Sequence, residues 1–431
     1  MTSTDSRHVP VDQVSADRLA SQNLTYRVID TSSDADIEAF VRADARGFLD
    51  ADPSNETVAA NSATFGERRN IGVFEADAPV GAWPIATVNS WVTPLTIPGG
   101  ELDMWAISVV TVSGTHRRRG IARALLEGEL RSAASAGVPI AGLTASEATI
   151  YGRYGFAPAI PVARVSVDTR RAGWIGGTQP GRVEYLDREA LKGHLAAVHD
   201  VARTQRSGQV PGWEGRWARV AGLTPEHPSP AAIRGVRYLD EHGAVRGVMA
   251  YKLTEVPGEF RFEMAIEQLT AVTPEALTAL WGFALQHDLV SKVTADLRPV
   301  DDPVMWLVAD QRAVEFTVHD HGWLRILDVP ASLKARSYRA PVDLVLRVVD
   351  ALGFADGTWR LHVVDGRASV KATSAEADVT ADAAALSAMY AGGVTAAQLR
   401  AAGRLIASAD VAATLDDALR TVDAPLLGIW Y

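Results

Sequence analysis

The stretch Val110-Thr111-Val112-Ser113-Gly114-Thr115-His116-Arg117-Arg118-Arg119-Gly120-Ile121-Ala122 constrains this chain more than any other. It opens on β-branched residues, which suit a strand. A tight loop with three consecutive arginines and Gly120 follows. From Ile121 to Ala134 the apolar residues fall at Ala122, Leu125, Leu126, Leu130 and Ala133, the spacing of an amphipathic helix, and this leaves Glu127, Glu129 and Arg131 for water. A loop that feeds a helix N-terminus gathers unpaired backbone N–H groups, and the helix dipole adds partial positive charge there. Gly120 permits close backbone approach to a bulky anion. Arg117, Arg118 and Arg119 add charge and forked donors. The ligand implied is a pyrophosphate. An arginine triplet alone reads more readily as a solvated surface turn. The order strand, arginine run, glycine, helix is what favours the anion site.

The surrounding segment, from Leu24 to about Arg164, alternates strand and helix patterns. Residues 71–75, 84–92 and 104–112 read as strands of a meander, and 138–144 as a further strand. The Gly- and Pro-rich run 170–181 reads as a linker. A second α/β stretch extends to Asp328, with helices over 190–204 and 274–288; Thr273 caps the latter and Pro274 sits in its first turn. Beyond it, 359–364 and 368–372 form a hairpin around Asp365-Gly366-Arg367, followed by helices over 382–390 and 396–402. The expected architecture is α/β (α+β) in four parts: a mobile N-terminal extension over 1–22, a first domain over 23–168, a second over 182–328 and a third over 329–431.

Composition narrows the chemistry. The 431 residues are 47% hydrophobic and 22% charged, with no cysteine. Disulfides, thiolate metal sites and a cysteine nucleophile are thereby excluded. A net charge of −10 repels nucleic acid and favours cationic partners. No run reaches the ~18 apolar residues that span a bilayer. Residues 1–22 lack the apolar core of a signal peptide, so a cytoplasmic protein with no membrane partner is expected. His194 and His199 stand five apart, not the four that would share a helix face, and His319 and His321 are read as lacking acidic or cysteine partners; no metal is expected.

The arginine segment resembles motif A of the GCN5-related N-acetyltransferases, which runs Arg or Gln, two residues, Gly, one residue, then Gly or Ala. Arg117, Gly120 and Ala122 fit it. Downstream, Ser146-Glu147-Ala148-Thr149-Ile150-Tyr151-Gly152-Arg153-Tyr154-Gly155-Phe156 resembles the corresponding stretch of the Eis (enhanced intracellular survival) family. Those bacterial acetyltransferases carry two acetyltransferase-like domains and a sterol-carrier-like domain. The motifs themselves cover about Val109 to Pro158.

The resemblance implies tandem GCN5-related acetyltransferase folds followed by a sterol-carrier-protein-like α/β domain. The first domain would be active. The second would be degenerate, because Gln268–Pro274 stands where a coenzyme loop needs arginine and glycine. Acetyl-coenzyme A is the implied cosubstrate, held by Val110, Thr111, Val112, Arg117, Arg118, Arg119, Gly120, Ile121, Ala122, Arg123, Ser146 and Glu147. Tyr151 is the implied general acid; a phenol with a pKa of about 10 is protonated at neutral pH. Without the resemblance, Tyr151 and Tyr154 read as amphipathic core residues. The family also implies a C-terminal carboxylate as general base, here that of Tyr431, where a member of the family has phenylalanine. The chain ends strongly apolar, which suits a docked terminus. The implied acceptor is an amine of a polyamine or aminoglycoside-like molecule, and the implied assembly a homohexamer. Asp50, Asp52 and Glu56 are candidate acceptor carboxylates or solvated surface charges, and Trp83, Trp91 and Trp105 candidate pocket walls or core. Two other functions fit the same features: regulatory acetylation of protein lysines, and lipid carriage by the C-terminal domain.

Overall fold

The structure, a computed structural model, describes residues 5–79 and 81–431. It has two compact units. One takes in the chain up to Ala159, Gly322–Arg420 and Tyr431; the other comprises Ile160–His321 and Thr421–Trp430.

In the first unit, helix α1 (Gln13–Ala20) precedes strand β1 (Leu24–Val28). Helices α2 (Asp34–Gly47) and α3 (Asn55–Gly66) follow, then β2 (Arg69–Glu75), β3 (Ala86–Ile97) and β4 (Gly100–Val112). Helix α4 (Ile121–Ser135), strand β5 (Ile140–Thr144) and the short helix α5 (Ala148–Tyr151) complete the domain. β1 to β4 form an antiparallel meander, and β5 returns parallel to β4. A parallel return needs a long crossover, which α4 supplies. Leu125, Leu126 and Leu130 of α4 pack in a buried core with Trp105, Ile107, Leu143 and Phe156.

Two expectations fail here for one reason. Residues 5–22 are not a mobile extension, while residues 1–4 of it lie outside the described residues. Asp12 caps α1, and Ser15 and Leu19 are fully buried. This helix covers the face of α4 that the spacing assigns to water. Arg18 pairs with Glu127 at 3.0 Å, Arg131 pairs with Asp12 at 2.8 Å, and Ser15 Oγ donates to the Ala124 carbonyl at 2.7 Å. Glu127 and Glu129 are buried. Glu129 accepts from Ser90 Oγ and from Trp105 Nε1 at 3.0 Å, and faces Arg69 Nε at 3.4 Å. Arg69, fully buried too, donates to the carbonyls of Val9 and Pro10. A charged helix face reads as solvated until partners for its charges are known.

The chain enters the second unit through β6 (Ala157–Asp168). It continues with α6 (Thr169–Ala172), β7 (Arg182–Leu186), α7 (Arg188–Arg203), α8 (Glu214–Val220), β8 (Ile233–Leu239), β9 (Val245–Glu255), β10 (Phe262–Ala271), α9 (Pro274–Leu285), β11 (Val290–Arg298) and β12 (Val314–Ile326). β7 to β10 form a meander, β11 runs parallel to β10, and β6 pairs antiparallel with β11. The element order repeats that of the first domain.

The last residues of β12, from Gly322, pair with β5 in the first unit. There follow α10 (Val329–Ala335), β13 (Val342–Val349), β14 (Gly357–Val364), β15 (Arg367–Ala372), β16 (Val379–Asp382), α11 (Ala383–Tyr390), α12 (Ala396–Ala401), β17 (Leu405–Ile406) and α13 (Ala409–Leu419). The sheet order is β15-β14-β13-β16-β17, with β13 and β16 parallel. Within the first unit, buried Arg325 pairs with Asp350 at 2.6 Å and donates to the Tyr154 carbonyl at 2.8 Å. The C-terminal domain encloses an apolar cavity of about 20 Å³ lined by Leu346, Leu361, Val379, Met389 and Leu415 among others. No helix among the described residues is long and apolar enough to cross a membrane.

The buried pair gives a test. Arg69→Met strands the Glu129 carboxylate without its cation and should cost about 3–5 kcal/mol. Adding Glu129→Gln should restore part of the lost melting temperature, measured by thermal unfolding.

Candidate active site

β4 and β5 pair only from Met104 opposite Ile140 to Ala106 opposite Gly142. Beyond that they part, although β4 runs on to Val112 and β5 to Thr144. Backbone groups on the freed side of β4 lose their ladder partner, and such groups need another. The parting coincides with a bulge: the register of β4 against β3 shifts between Thr87 and Asn89, and Val109 has φ +57°. That is a left-handed conformation a β-branched residue rarely adopts. Thr87 Oγ1 holds the bulge by donating to the Val109 carbonyl at 2.8 Å. The freed edge, with Val110, Thr111 and Val112, can take an extended ligand that carries amides.

The arginine loop leads from that edge into α4. Arg118 at φ +62° and Gly120 at φ +77° are both left-handed. Gly120 is the N-cap, and no side chain among the described residues caps the helix. Its first-turn N–H groups, from Ile121, Ala122 and Arg123, are therefore placed to receive an anion. A Cβ built on Gly120 meets nothing within 4 Å, so conformation rather than crowding selects glycine there. Arg117 and Arg118 are exposed. Arg119 is half-buried and donates to the Gln22 carbonyl at 3.3 Å, and Arg123 is tied to Glu127 at 2.6 Å.

Because β4 and β5 are parallel, the loop after β5 leaves the sheet on the same edge as the arginine loop. Ser146 and Glu147 in it are exposed. Tyr151 is buried, its ring edge-on to Phe156 at 6.2 Å and tilted on Trp323 at 6.3 Å. Burial raises its phenol above the ordinary value, the Ser146 hydroxyl opposes this, and Glu147 adds to it. Tyr154 is also buried and raised by burial. At the end of β5, Thr144 Oγ1 donates to the main-chain oxygen of Tyr431 at 2.7 Å. The Tyr431 ring meets the Trp91 ring edge-on at 5.5 Å, and its phenol oxygen lies 3.1 Å from where a Cβ on Gly142 would stand.

Sequence reasoning missed Gly142, Thr144 and Arg68. The Arg68 guanidinium lies over Trp91 at 3.6 Å and donates to Asn89 Oδ1 at 3.2 Å; burial lowers its pKa to about 10, so it stays cationic at neutral pH. Single residues in or just before a strand leave no sequence signal of this kind. Of the tryptophans, Trp91 meets Tyr431, Trp105 is fully buried on Glu129, and Trp83 is partly exposed beneath Arg46. Asp52 pairs with Arg42 at 3.1 Å, and Asp50 and Glu56 are exposed.

In the second unit the equivalent positions are filled. β10 and β11 also pair only as far as Ile266 opposite Ala295. Arg298 spans the gap beyond, donating to the Leu269 carbonyl at 2.6 Å while paired with Asp302 at 2.7 Å. The Thr273 side chain caps α9 and Pro274 occupies its first turn. Segment 421–430 is seated in the same unit. Gln268 Nε2 donates to the Gly428 carbonyl at 3.3 Å, the Gly428 N–H donates to Gln209 at 3.0 Å, and His321 Nε2 meets the Ile429 carbonyl at 2.9 Å. That last bond assigns His321 the Nε2–H tautomer. Burial pushes its pKa down to about 4. His199 meets the Val210 carbonyl and His194 meets Arg237. His319, read as lacking an acidic partner, lies 3.8 Å from Asp296.

Residues 28–159 and 208–326 each match a model of the acetyltransferase (GNAT) domain, and 329–428 match the sterol carrier protein domain. With the parted strands and the uncapped helix, this defines an acetyl-coenzyme A-dependent N-acetyltransferase of the GCN5-related class. An uncharacterised N-acetyltransferase of Streptomyces griseus is 34% identical over 415 residues, 92% of this chain and 97% of the relative. N-acetyltransferase Eis of Mycobacterium tuberculosis is 33% identical over 324 residues, 72% of this chain and 76% of the relative. The crystal structure of Eis1 from Mycobacterium abscessus superposes with a TM-score of 0.81 at 29% identity, covering 95% of this chain and all 100% of the other. The chain belongs to the Eis family.

His321 offers a pH test of how segment 421–430 is held. Its folded pKa of about 4 lies below the ordinary 6.5, so the unfolded chain takes up the proton first. The stability linked to this group is complete above pH 6.5 and is lost as pH falls towards 4. His321→Gln keeps a donor for the Ile429 carbonyl and removes the titration. Between pH 7 and pH 4.5 the variant should lose less stability than the parent, by up to about 3 kcal/mol. Superimposable pH profiles of melting temperature would contradict this.

Proposed function

We propose that the chain acetylates amino groups of a polyamine or aminoglycoside-like acceptor by direct transfer from acetyl-coenzyme A, with Tyr151 as general acid and the α-carboxylate of Tyr431 as general base. One observation carries this reading. Thr144, at the end of β5, holds the main-chain oxygen of Tyr431, and Tyr151 of the following short helix is buried in the core against which Val110 and Val112 of the freed edge pack.

In this reading Val110, Thr111 and Val112 offer backbone groups to the pantetheine amides. The N–H groups from Gly120 to Arg123 receive the pyrophosphate together with Arg117 and Arg118, while Arg119 braces the loop on Gln22. Ser146 and Glu147 border the same cleft. The acceptor nitrogen gives a proton to the Tyr431 carboxylate, which exists where Tyr431 is the chain's last residue. The neutral amine then attacks the acetyl carbonyl carbon. As the tetrahedral intermediate collapses, the carbon–sulfur bond breaks, the departing thiolate takes the Tyr151 proton, and the second proton of the now cationic nitrogen restores the Tyr151 phenol, leaving a neutral amide. Burial that raises the Tyr151 phenol keeps that proton in place at neutral pH. The second domain serves as scaffold, its coenzyme position taken by Arg298 and Asp302. A cytoplasmic homohexamer with no metal, nucleic-acid or membrane partner completes the reading. The apolar cavity of about 20 Å³ lined by Leu346, Leu361 and Met389 is too small for an acyl chain.

Tyr151→Phe removes only the hydroxyl. Turnover should fall about 10²–10⁴-fold with coenzyme A affinity unchanged, while Tyr154→Phe does far less. Equal effects at both positions would indicate packing instead. Separately, residues added after Tyr431 replace its carboxylate with an amide and should abolish turnover. A folded, coenzyme-binding, extended chain that works at the parent rate would exclude this carboxylate. Coenzyme A release measured against a panel of polyamines and aminoglycosides identifies the acceptor.

A further inference from the structure

Asp44 is a carboxylate on an apolar helix face. Along α2, Ile37, Phe40, Val41 and Asp44 recur at helical spacing and share one side. The first three are buried in a cluster with Val58, Phe65 and Phe74, against which Val109 of the β4 bulge packs. Gly47, three residues after Asp44, lies so close to β4 that a Cβ there would stand 2.4 Å from Thr111 Cβ. The C-terminal turn of α2 therefore rests on β4 where that strand has left β5.

There, Asp44 Oδ1 is buried and has no hydrogen-bond partner among the described residues. A buried carboxylate oxygen is costly unless it is paired. The arginines of α2 are committed elsewhere: Arg42 binds Glu38, Asp52 and Asn55, and Arg46 donates to the Pro84 carbonyl. The charge that acts on Asp44 is that of another carboxylate, Asp50, whose N–H folds back onto the Ala45 carbonyl. Burial, with the repulsion of Asp50, pushes the Asp44 carboxyl up to about 7. An apolar residue would satisfy this position as packing; a carboxylate leaves it short of a cation.

We propose that Asp44 is a specificity-determining residue of the first domain, the counter-charge that receives an ammonium group of the acceptor beside the freed edge of β4. This rests on the acetyl-transfer reading of that edge. An alkylammonium brings three donors and a full positive charge to an orphaned acceptor, and its presence returns the carboxyl to its ionised form. The ligand class is a primary aliphatic amine with at least two cationic groups, so that one stays on Asp44 while another reacts.

The test is calorimetric titration of spermine into the full chain saturated with coenzyme A. The parent is compared with Asp44→Asn and with Asp34→Asn, a control at the other end of α2. Asp44→Asn should weaken spermine at least tenfold at pH 8, and Asp34→Asn less than twofold. Coenzyme A affinity should be unchanged in both. The melting temperature of Asp44→Asn should equal or exceed the parent's, because a buried unpaired charge has been removed. Spermine affinity within twofold of the parent, or no spermine binding to the parent, overturns the proposal. An Asp44→Asn chain that melts lower and loses coenzyme A makes the residue structural and overturns it as well. The acetyl-transfer reading fails separately, if the parent binds spermine through Asp44 yet releases no coenzyme A from acetyl-coenzyme A in its presence.

Discussion

A strand edge freed inside a domain must find partners for its backbone groups, and the rest of this structure is arranged around that demand. It arises twice, because both acetyltransferase-type domains pair their central parallel strands for only a few residues before parting. The two domains answer it differently. In the second, a side chain crosses the gap: Arg298 reaches the Leu269 carbonyl and is itself neutralised by Asp302. In the first, the edge beyond Ala106 is bordered by a bulge with Val109 in a left-handed conformation and by a helix start that no side chain among the described residues caps. One physical rule thus yields a closed position in one domain and a receptive one in the other, without any difference in element order.

The receptive position depends on where α4 sits, and a buried charge network sets that. Glu129 is bonded from β3 through Ser90 and from β4 through Trp105, and it faces Arg69 of β2. One helix residue is thereby referenced to three strands. Arg69 extends the network to the carbonyls of Val9 and Pro10, and α1 closes over the remaining charges of α4. Such networks add little net stability compared with apolar packing, but they tolerate few alternative arrangements. The register they impose holds the Gly120 end of α4 next to the freed part of β4.

Much of this was legible in the sequence, and the parts that were not share a cause. The strand, arginine run, glycine and helix around Gly120 are local, so their geometry followed from adjacent residues. The hairpin at Asp365-Gly366 and the capped start at Thr273 were legible for the same reason. What failed was long-range pairing of charge. Glu129 reads as a solvated residue because Arg69, Ser90 and Trp105 lie 24 to 60 positions away. Residues 5–22 read as an extension because their partners on α4 are over a hundred positions distant. Thr144 and Gly142 carry no signal, since their meaning comes from Tyr431 at the far end of the chain. Asp44 was invisible for the opposite reason: its buried oxygen finds no hydrogen-bond partner among the described residues.

That missing partner bears on how an amine can be acetylated at neutral pH. An alkylamine with a pKa of about 10.4 is almost wholly protonated there, so the acceptor arrives as a cation while only its neutral form attacks. A site must therefore attract the ammonium and then remove a proton from it, and one carboxylate does both poorly: a tight ion pair lowers the acidity of the very proton that must leave. On the proposed reading the two tasks fall to different groups. Asp44 lies on the turn of α2 that rests on Thr111 near the end of β4, whereas the Tyr431 oxygen is held by Thr144 at the end of β5. An acceptor with two amines satisfies both at once, one nitrogen staying charged and the other becoming the nucleophile. A monoamine must choose, which is the physical reason such a site would favour polyamines.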